Sequence, residues 1–359
     1  MPVFSPASLT ETTASIFAAA GMRADEARVV AELLVEANLV GHDSHGVIRI
    51  PQYLGQVEAG DIVPDAAVEV VHEAPTLAVL DAHWGFGQVA MSRGVDMALE
   101  KARATGMAAI SVRQANHVGR LGSYVERIAE ESAIALMFVN GAPVCRMAPW
   151  GGREARHGTN PIAMGFPSRS GPPVVLDMTT SAVAEGKVRV QRNRGAEVPD
   201  GWLLDAEGQP TNDPNTLYAD PPGTILPLGG SLGHKGYGLN VAVELLAGAL
   251  AGAGCIGQDR PFRNGALLLV LDVEKLVGLD AYFAEADTYI AFVKSAATAP
   301  GVEAILMPGD SERAMAEKRK VEGIFIEDET WAQIVESGAK VGVEVGRRGI
   351  APKTGSGCV

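Results

Sequence analysis

Apolar residues recur at helical spacing near both ends of the chain and in short strand-like runs between them. Residues 8–20 predict a first helix, with Ser8 or Thr10 as N-cap and Gly21 after its end. Asp25 is placed to cap a second helix, whose Val29, Val30, Leu33, Leu34 and Ala37 form one buried stripe. Gly41 suits a left-handed cap, and Pro51 suits the first turn of a third helix over about 51–59 that Gly60 can stop.

The period changes near residue 67. Val68, Val70 and Val71, then Leu77, Val79 and Leu80, predict strands. A helix to about Arg103 follows, then a strand over 108–112, a helix through Glu131 and a buried strand over 133–139. Residues 141–161 are rich in Gly and Pro and predict a long functional loop. A strand over 174–178 ends in Asp177 and the hydroxyl run Thr179-Thr180-Ser181, which either recognises a ribose or caps a following helix. Residues 189–194 predict a solvated loop, and 199–233 carry too much Pro and Gly for long elements. The most apolar stretch, 239–256, is interrupted by Glu244 and predicts a buried, closely packed helix rather than a membrane span. A strand over 266–271 and helices over 281–296, 311–322 and 328–339 complete the pattern, with Lys318, Arg319 and Lys320 on a solvated face. The expected organisation is a helical subdomain over 1–66, an α/β nucleotide- and substrate-binding domain over 67–300, a helical segment over 301–350 packed on the first, and a flexible tail over 351–359.

Composition narrows the partners. Of the 359 residues 47% are hydrophobic, enough for a substantial core, and the net charge is −13. That balance excludes a nucleic-acid binder, which needs a basic face, and disfavours an anionic membrane surface. An acidic protein with an anionic substrate must place its cations locally, so individual Arg and Lys residues gain weight. Three widely spaced cysteines, Cys145, Cys255 and Cys358, make neither a disulfide framework nor a zinc pattern. With no signal-peptide pattern at the start, a cytoplasmic protein with free thiols is expected.

The chemistry concentrates in residues 41–54, Gly-His-Asp-Ser-His-Gly-Val-Ile-Arg-Ile-Pro-Gln-Tyr-Leu. Two imidazoles, a carboxylate, a hydroxyl and a guanidinium lie within His42 to Arg49, in a short bend before a helix. The positive end of that helix is a natural seat for a small anion. His234 and Lys235 likewise open a helix, where the dipole repels cations, and an anion between them would explain the placement. Gly85-Phe86-Gly87-Gln88-Val89-Ala90 has the form of a dinucleotide fingerprint between strand and helix. Its next strand ends in Arg113 and Gln114, where the fingerprint expects an acidic residue, and Gly252 to Gly257 follows a helix rather than a strand. A Rossmann domain is therefore not expected.

Gly41-His42-Asp43-Ser44-His45-Gly46 followed by Ile50-Pro51-Gln52-Tyr53 resembles the signature of the malate/L-lactate dehydrogenase family of NAD(P)-dependent oxidoreductases. The likeness continues through Asn116-His117-Val118-Gly119-Arg120-Leu121-Gly122, Gly158-Thr159-Asn160-Pro161, Leu176-Asp177-Met178-Thr179-Thr180-Ser181, His234-Lys235-Gly236-Tyr237-Gly238 and Pro308-Gly309-Asp310. Ala82 to Ala90 and the His117 run look closest to the hydroxycarboxylate dehydrogenase B subgroup. The resemblance implies a non-Rossmann α/β (α+β) fold: a mixed, largely antiparallel sheet with the helical N- and C-terminal segments packed together. It implies NAD, with NADP possible, a homodimer, and interconversion of 2-hydroxy and 2-oxo acids.

That reaction needs a cation for the substrate carboxylate, an acid/base for the hydroxyl proton and a dry site. Arg49 can supply the first by a bidentate clamp, and a histidine can supply the second. His45, with Ser44 beside it, resembles the family's relay histidine against the nicotinamide. His117 matches a position that acts as proton acceptor in some members. The expectation is that His117 exchanges the proton, His45 orients substrate and cofactor, and Thr159 joins Arg49 on the substrate. Carried over by position, the cofactor contacts are His45, then Gly119, Arg120 and Leu121, then Val175, Leu176, Asp177, Met178 and Thr179. His234, Lys235, Asn264, Pro308, Gly309, Asp310 and Ser311 complete them. Members that reduce cyclic imines such as pyrroline-2-carboxylate tend to carry an acid where this chain has Lys187, so an oxo acid is favoured over a ketimine.

Two rival classes remain at this point. A metal-dependent hydrolase could gather His42, Asp43, His45, His117, His157 and His234, yet none pairs at a spacing that fixes a metal, and no metal is expected. A non-catalytic nucleotide-binding protein would bind NADH without oxidising it.

Overall fold

The computed structural model describes residues 2–257 and 261–346. Among them the chain forms two compact units, one of residues 2–67 with 290–346 and one of 68–289. The predicted tail, with Cys358, lies outside the described residues.

The first unit is mostly helical. Helices Pro6–Ala19 and Ala24–Leu39 pack against each other through Leu9, Ile16, Phe17, Val30 and Leu34, all buried. Early and late segments of the chain meet here. Val3–Phe4 pairs antiparallel with Ile324–Phe325, and the Phe4 ring lies 4.0 Å from that of Trp331. Helix Asp310–Glu322 packs on Ala24–Leu39, and helix Asp328–Lys340 on Ile50–Glu58. Two caps differ from expectation. The first helix starts earlier, with Ser5 as N-cap accepting from the Ser8 N–H, because Pro6 takes the first helical position. The second has Arg23 at its N-cap with no side-chain capping bond, and Asp25 stands in the first turn, where its charge still suits the dipole. Gly41 is the left-handed cap predicted, at φ +85°.

The second unit is built on a seven-stranded sheet. Its strands are β1 Glu69–Ala74, β2 Leu77–Asp81, β3 Met107–Ala115, β4 Ala133–Ala142, β5 Ile162–Phe166, β6 Val174–Met178 and β7 Arg263–Asp272. The spatial order is β1-β2-β3-β7-β4-β5-β6. Only β2 and β3 are parallel; every other pair is antiparallel. The central strand β7 arrives last in sequence and is covered on both faces, so Ala266, Leu267, Leu268 and Val270 read as an unbroken apolar run. Helices Gly87–Thr105 and Leu121–Glu130 cover one face.

The other face carries helix His234–Val243, which widens into a π-helical stretch over Glu244–Leu250 packed on β4 and β7. Contact there is backbone to backbone: a Cβ on Gly265 would stand 2.1 Å from the Ala247 carbonyl oxygen. The apolar stretch is not buried all round as hydropathy suggested. Val243, Ala247 and Gly248 face inward, while Leu239, Leu245 and Leu250 are exposed. Residues 189–194 are not a loop either. They finish helix Glu185–Asn193, which anchors Val188 in a small core with Val183, Val198, Leu203, Leu217 and Ile225. Beside it lies a three-stranded sheet of Leu203–Leu204, Pro210–Thr211 and Thr224–Ile225.

The parallel β2–helix–β3 unit explains the fingerprint-like Gly85 to Ala90. Gly87 is a glycine because the chain itself fills the space: a Cβ would lie 2.2 Å from the Asn116 carbonyl oxygen and 2.8 Å from that of His117. A phosphate is not what approaches it. Gly265→Ala is expected to destabilise the fold by about 1–3 kcal/mol, since the obstructing atom is backbone and cannot swing away. Chemical denaturation against the wild type measures it.

Candidate active site

In the first unit the polar bend is held by its neighbours. Gly41 N–H reaches Asn38 O (3.1 Å) and His42 N–H reaches Ala37 O (2.8 Å), which closes the helix in a Schellman turn. Two 3₁₀ turns, Asp43–His45 and Val47–Arg49, then lead into helix Ile50–Glu58. Buried Asn38 spans the bend, its Nδ2 donating to Asp43 Oδ1 (2.7 Å) and its Oδ1 accepting from Val47 N–H (2.8 Å). Gly46 leaves the space for it, since a Cβ there would fall 2.1 Å from Asn38 Oδ1. Arg319 donates to both Asp43 oxygens (2.7 and 3.0 Å) and to Asn38 O. It is therefore not part of a solvated face, unlike its neighbours Lys318 and Lys320.

These contacts divide the labour within the cluster. Asp43 is taken up by the fold. His42 Nε2 lies 3.2 Å from Glu312 Oε1, so His42 is likewise engaged. Ser44 Oγ stands 3.1 Å from His45 Nδ1 and orients that ring. Arg49 is anchored by Nε to Ser44 O (2.7 Å) and by Nη1 to Gln52 Oε1 (2.6 Å). Its guanidinium thus stands at the N-terminal end of a helix with no acidic residue in its first turn. Sequence reading pointed to His45, Ser44 and Arg49 as candidates and missed the two groups that hold the bend through Asp43 and Val47, Asn38 and Arg319.

Pro308 to Ser311 open helix Asp310–Glu322 in the same unit, with Gly309 at φ +94°. Asp310 accepts from Met307 N–H (2.9 Å) and Arg313 (2.7 Å) and pairs with Lys294 (3.0 Å). Burial raises its carboxyl pKa, but these donors together outweigh burial and hold it below the ordinary carboxylate range.

In the second unit, strand β3 bulges. Asn264 of β7 faces Ala115 while Ala266 faces Val112, and Gln114 takes φ +50°. The chain then turns through Asn116 to Arg120. Asn116 N–H reaches Gly85 O (3.0 Å) and its Nδ2 reaches Trp84 O (2.9 Å), from a turn in which His83 and Trp84 both have positive φ. His117 Nδ1 accepts from Gly119 N–H at 3.3 Å. Val118 N–H donates to Asn264 Oδ1 (3.1 Å), and Asn264 Nδ2 donates to Asn140 O (2.8 Å).

Asp177, at the end of β6, accepts from Gly122 N–H (2.7 Å) at the start of helix Leu121–Glu130. The buried Arg120 side chain lies between Asp177 (3.9 Å) and Glu126 (3.7 Å). The structure therefore brings Gly119, Arg120, Leu121, Asp177 and Asn264 around the His117 turn. Val175 is buried in β6, while Leu176, Met178 and Thr179 are half-buried. The hydroxyl run does not cap a helix: the next one begins at Glu185 after Ala184. Thr180 Oγ1 instead donates to Thr159 O and Asn160 O, and Thr179 Oγ1 to Ser181 O.

His234 and Lys235 are exposed at their helix start, with the His234 ring 6.0 Å from Trp150 and no ionic or hydrogen-bonding partner for either among the described residues. His157, in the 141–161 loop, is half-buried. Burial pushes its pKa below the ordinary value, against the opposing pull of Glu244 and Asn240. Sequence reading missed a buried polar cluster of Asn140, Asn160, Asn240 and Glu244, because its members come from four separate segments. Among the described residues no group of three or more His, Cys, Asp or Glu is placed to hold a metal ion, and no helix is long and apolar enough to cross a membrane.

Known proteins place this arrangement. Residues 4–335 match the family described as malate/L-lactate dehydrogenase. An L-lactate dehydrogenase of Cupriavidus necator is 38% identical over 83% of this chain and 86% of its own. Hydroxycarboxylate dehydrogenase B of Escherichia coli K12 is 33% identical over 92% and 91%. The crystal structure of malate dehydrogenase from Entamoeba histolytica superimposes with a TM-score of 0.90, at 27% identity over 96% of this chain and 99% of that one. That of Δ1-piperideine-2-carboxylate reductase from Pseudomonas syringae gives 0.82, at 30% identity over 94% and 100%. Fold and relatives define the class, a nicotinamide-dependent dehydrogenase of 2-hydroxy acids. The chain belongs to the malate/L-lactate dehydrogenase family.

A carboxyl held below its ordinary pKa stabilises the fold above its unfolded pKa of about 3.9, and that contribution disappears as pH falls through the folded value. Asp310→Asn is therefore expected to lower stability at neutral pH and to match the wild type at a pH below both values. Urea denaturation at the two pH values measures the difference.

Proposed function

We propose that the protein interconverts a small 2-oxo acid and its 2-hydroxy acid, with NAD(H) preferred over NADP(H). The observation that carries the reading is the Ser44–His45–Arg49 bend: an imidazole oriented by a hydroxyl beside a guanidinium anchored at a helix start. Arg49 binds the substrate carboxylate, with Thr159 as a second contact. The bound nicotinamide supplies or takes the hydride at the substrate's C2. His117 gives a proton to the oxygen on C2 during reduction and recovers it during oxidation, and His45 orients substrate and cofactor. The dinucleotide rests on Gly119 to Leu121, Val175 to Thr179, His234 and Lys235, and the backbone of Pro308 to Ser311. Asn264 serves it through the turn it holds.

The donor set fits such a group. A carboxylate at the end of β6, Asp177, suits ribose hydroxyls and repels a 2′-phosphate, which supports NAD. The exposed Leu239, Leu245 and Leu250 support the homodimer that the family implies, since association would cover them. The family supports a cytoplasmic enzyme. The second reading, reduction of a cyclic ketimine, is favoured by the likeness to the piperideine-2-carboxylate reductase. Lys187, exposed on helix Glu185–Asn193, weighs against it by offering an ammonium where an imine-reducing site would have an acid.

The test is a spectrophotometric screen of pyruvate, oxaloacetate, 2-oxoglutarate, phenylpyruvate and piperideine-2-carboxylate with NADH and NADPH. An oxo acid with NADH should be fastest. His117→Asn should cost about 10²–10⁴-fold in kcat, and Arg49→Lys should act chiefly on KM, because a point charge replaces a planar fork. Near-normal turnover in both His45→Asn and His117→Asn would sink the assignment.

A further inference from the structure

Glu244 is a buried carboxylate that the reaction just described does not use. It stands where helix His234–Val243 passes into its π-helical stretch, and it is 7% exposed. Oε1 accepts from Asn140 Nδ2 (3.1 Å) and from Ile256 N–H (2.7 Å); Oε2 accepts from Asn160 Nδ2 (2.7 Å). No cationic side chain pairs with it among the described residues. Burying such a group without a counter-ion is costly, so a neutral glutamine would be the cheaper choice if it served. It does not serve. All three neighbours are donors, and an amide nitrogen in place of either oxygen would face one of them.

Two arms leave this carboxylate. Along the first, Asn140 accepts from Gly265 N–H on Oδ1 (2.9 Å), and its carbonyl accepts from Asn264 Nδ2 (2.8 Å); Asn264 Oδ1 in turn accepts from Val118 N–H (3.1 Å). That peptide follows His117 directly. Along the second, Asn160 donates to Asn240 Oδ1 (3.1 Å), and Asn240 donates to Gly158 O (2.9 Å) and to Thr180 Oγ1 (2.8 Å). Thr180 holds the Thr159 carbonyl (3.1 Å). Asn140, Asn160, Asn240, Asn264 and Thr180 are all buried, and Asn160 keeps a positive φ of 34° to join the arm. Backbone held in so sparsely used a region needs surroundings that over-determine it.

We propose that Glu244 is the positioning residue of this enzyme, the common acceptor that fixes the His117 turn and the Thr159 turn relative to each other. Its consequence for catalysis rests on the reading above, in which His117 exchanges the proton and Thr159 meets the substrate. Displacing a reacting group by about 1 Å can cost roughly 10²-fold in rate.

The test compares wild type, Glu244→Gln and Asn160→Gly as full-length proteins by hydrogen–deuterium exchange and by kinetics on pyruvate, or on whichever oxo acid of the panel is fastest. Glu244→Gln should raise exchange in both 116–119 and 158–160 and lower kcat about 10²-fold. Asn160→Gly, which relieves the backbone and cuts only the second arm, should raise exchange in 158–160, leave 116–119 protected and act mainly on KM. Should Glu244→Gln fail to fold, Asn160→Gly alone decides. Wild-type kcat and exchange in Glu244→Gln overturn the proposal, as does exchange rising evenly through the unit, or Asn160→Gly loosening both turns or neither. If no oxo acid is reduced by the wild type, the functional reading fails and the exchange pattern still judges the positioning role.

Discussion

One side-chain amide ties the His117 turn to the middle of the sheet. Asn264 takes the Val118 N–H on one side and gives a hydrogen bond to the Asn140 carbonyl on the other, bridging β3, β7 and β4 at the point where β3 bulges. A donor left unsatisfied there would cost about 1–3 kcal/mol. The larger consequence is geometric: an imidazole on a turn is as well placed as the peptide behind it. The sheet order follows the same need. A strand that arrives last in the chain lies between two early ones, and only from there can residue 264 reach both.

The close approach around that amide depends on small residues. Gly87 lets the β2–helix–β3 unit press on the Asn116 and His117 carbonyls, and Gly265 lets the π-helical stretch lie on β7. A π stretch within a helix often marks a functional site. Here it carries Glu244 at its first position, within reach of β4 and of the 158–160 turn. Fold and site are thus one construction, in which backbone contact sets distances and buried amides set directions.

Local signals were legible in the sequence and long-range ones were not. The strand Val174–Met178 and the Gly41 cap follow from a short apolar run and from one glycine, and both stand as expected. Several hydroxyls competed for the first N-cap, and only the position of Pro6 selects Ser5. Residues 189–194 hide a helix because charge dominates them and Val188 alone is buried. The Gly-x-Gly-x-x-Ala run was separable from a true fingerprint by the residues ending the next strand, and the structure supplies the reason for its glycines. His45, Ser44 and Arg49 stand out as candidates by crowding. Asn38, Arg319, Asn140 and Glu244 could not, because each is ordinary in its own segment and acquires its role from a partner far along the chain.

A chain with net charge −13 must still receive an anionic acid and an anionic dinucleotide. Screening at physiological salt limits the general repulsion to about 8 Å, so near groups decide. In the first unit Asp43 is occupied as an acceptor by Arg319 and Asn38, and Asp310 by Met307, Arg313 and Lys294; in the second unit Asp177 is occupied by Gly122, and Glu244 by two asparagines and a peptide. Each is held where it builds a turn or a helix start. The cations at the helix starts are treated differently. Arg49 is anchored on the Ser44 carbonyl and the Gln52 amide, and His234 and Lys235 have no acid beside them among the described residues. Acids engaged in turns and helix starts, with His234 and Lys235 free of an acid among the described residues, give an acidic protein local positive ground.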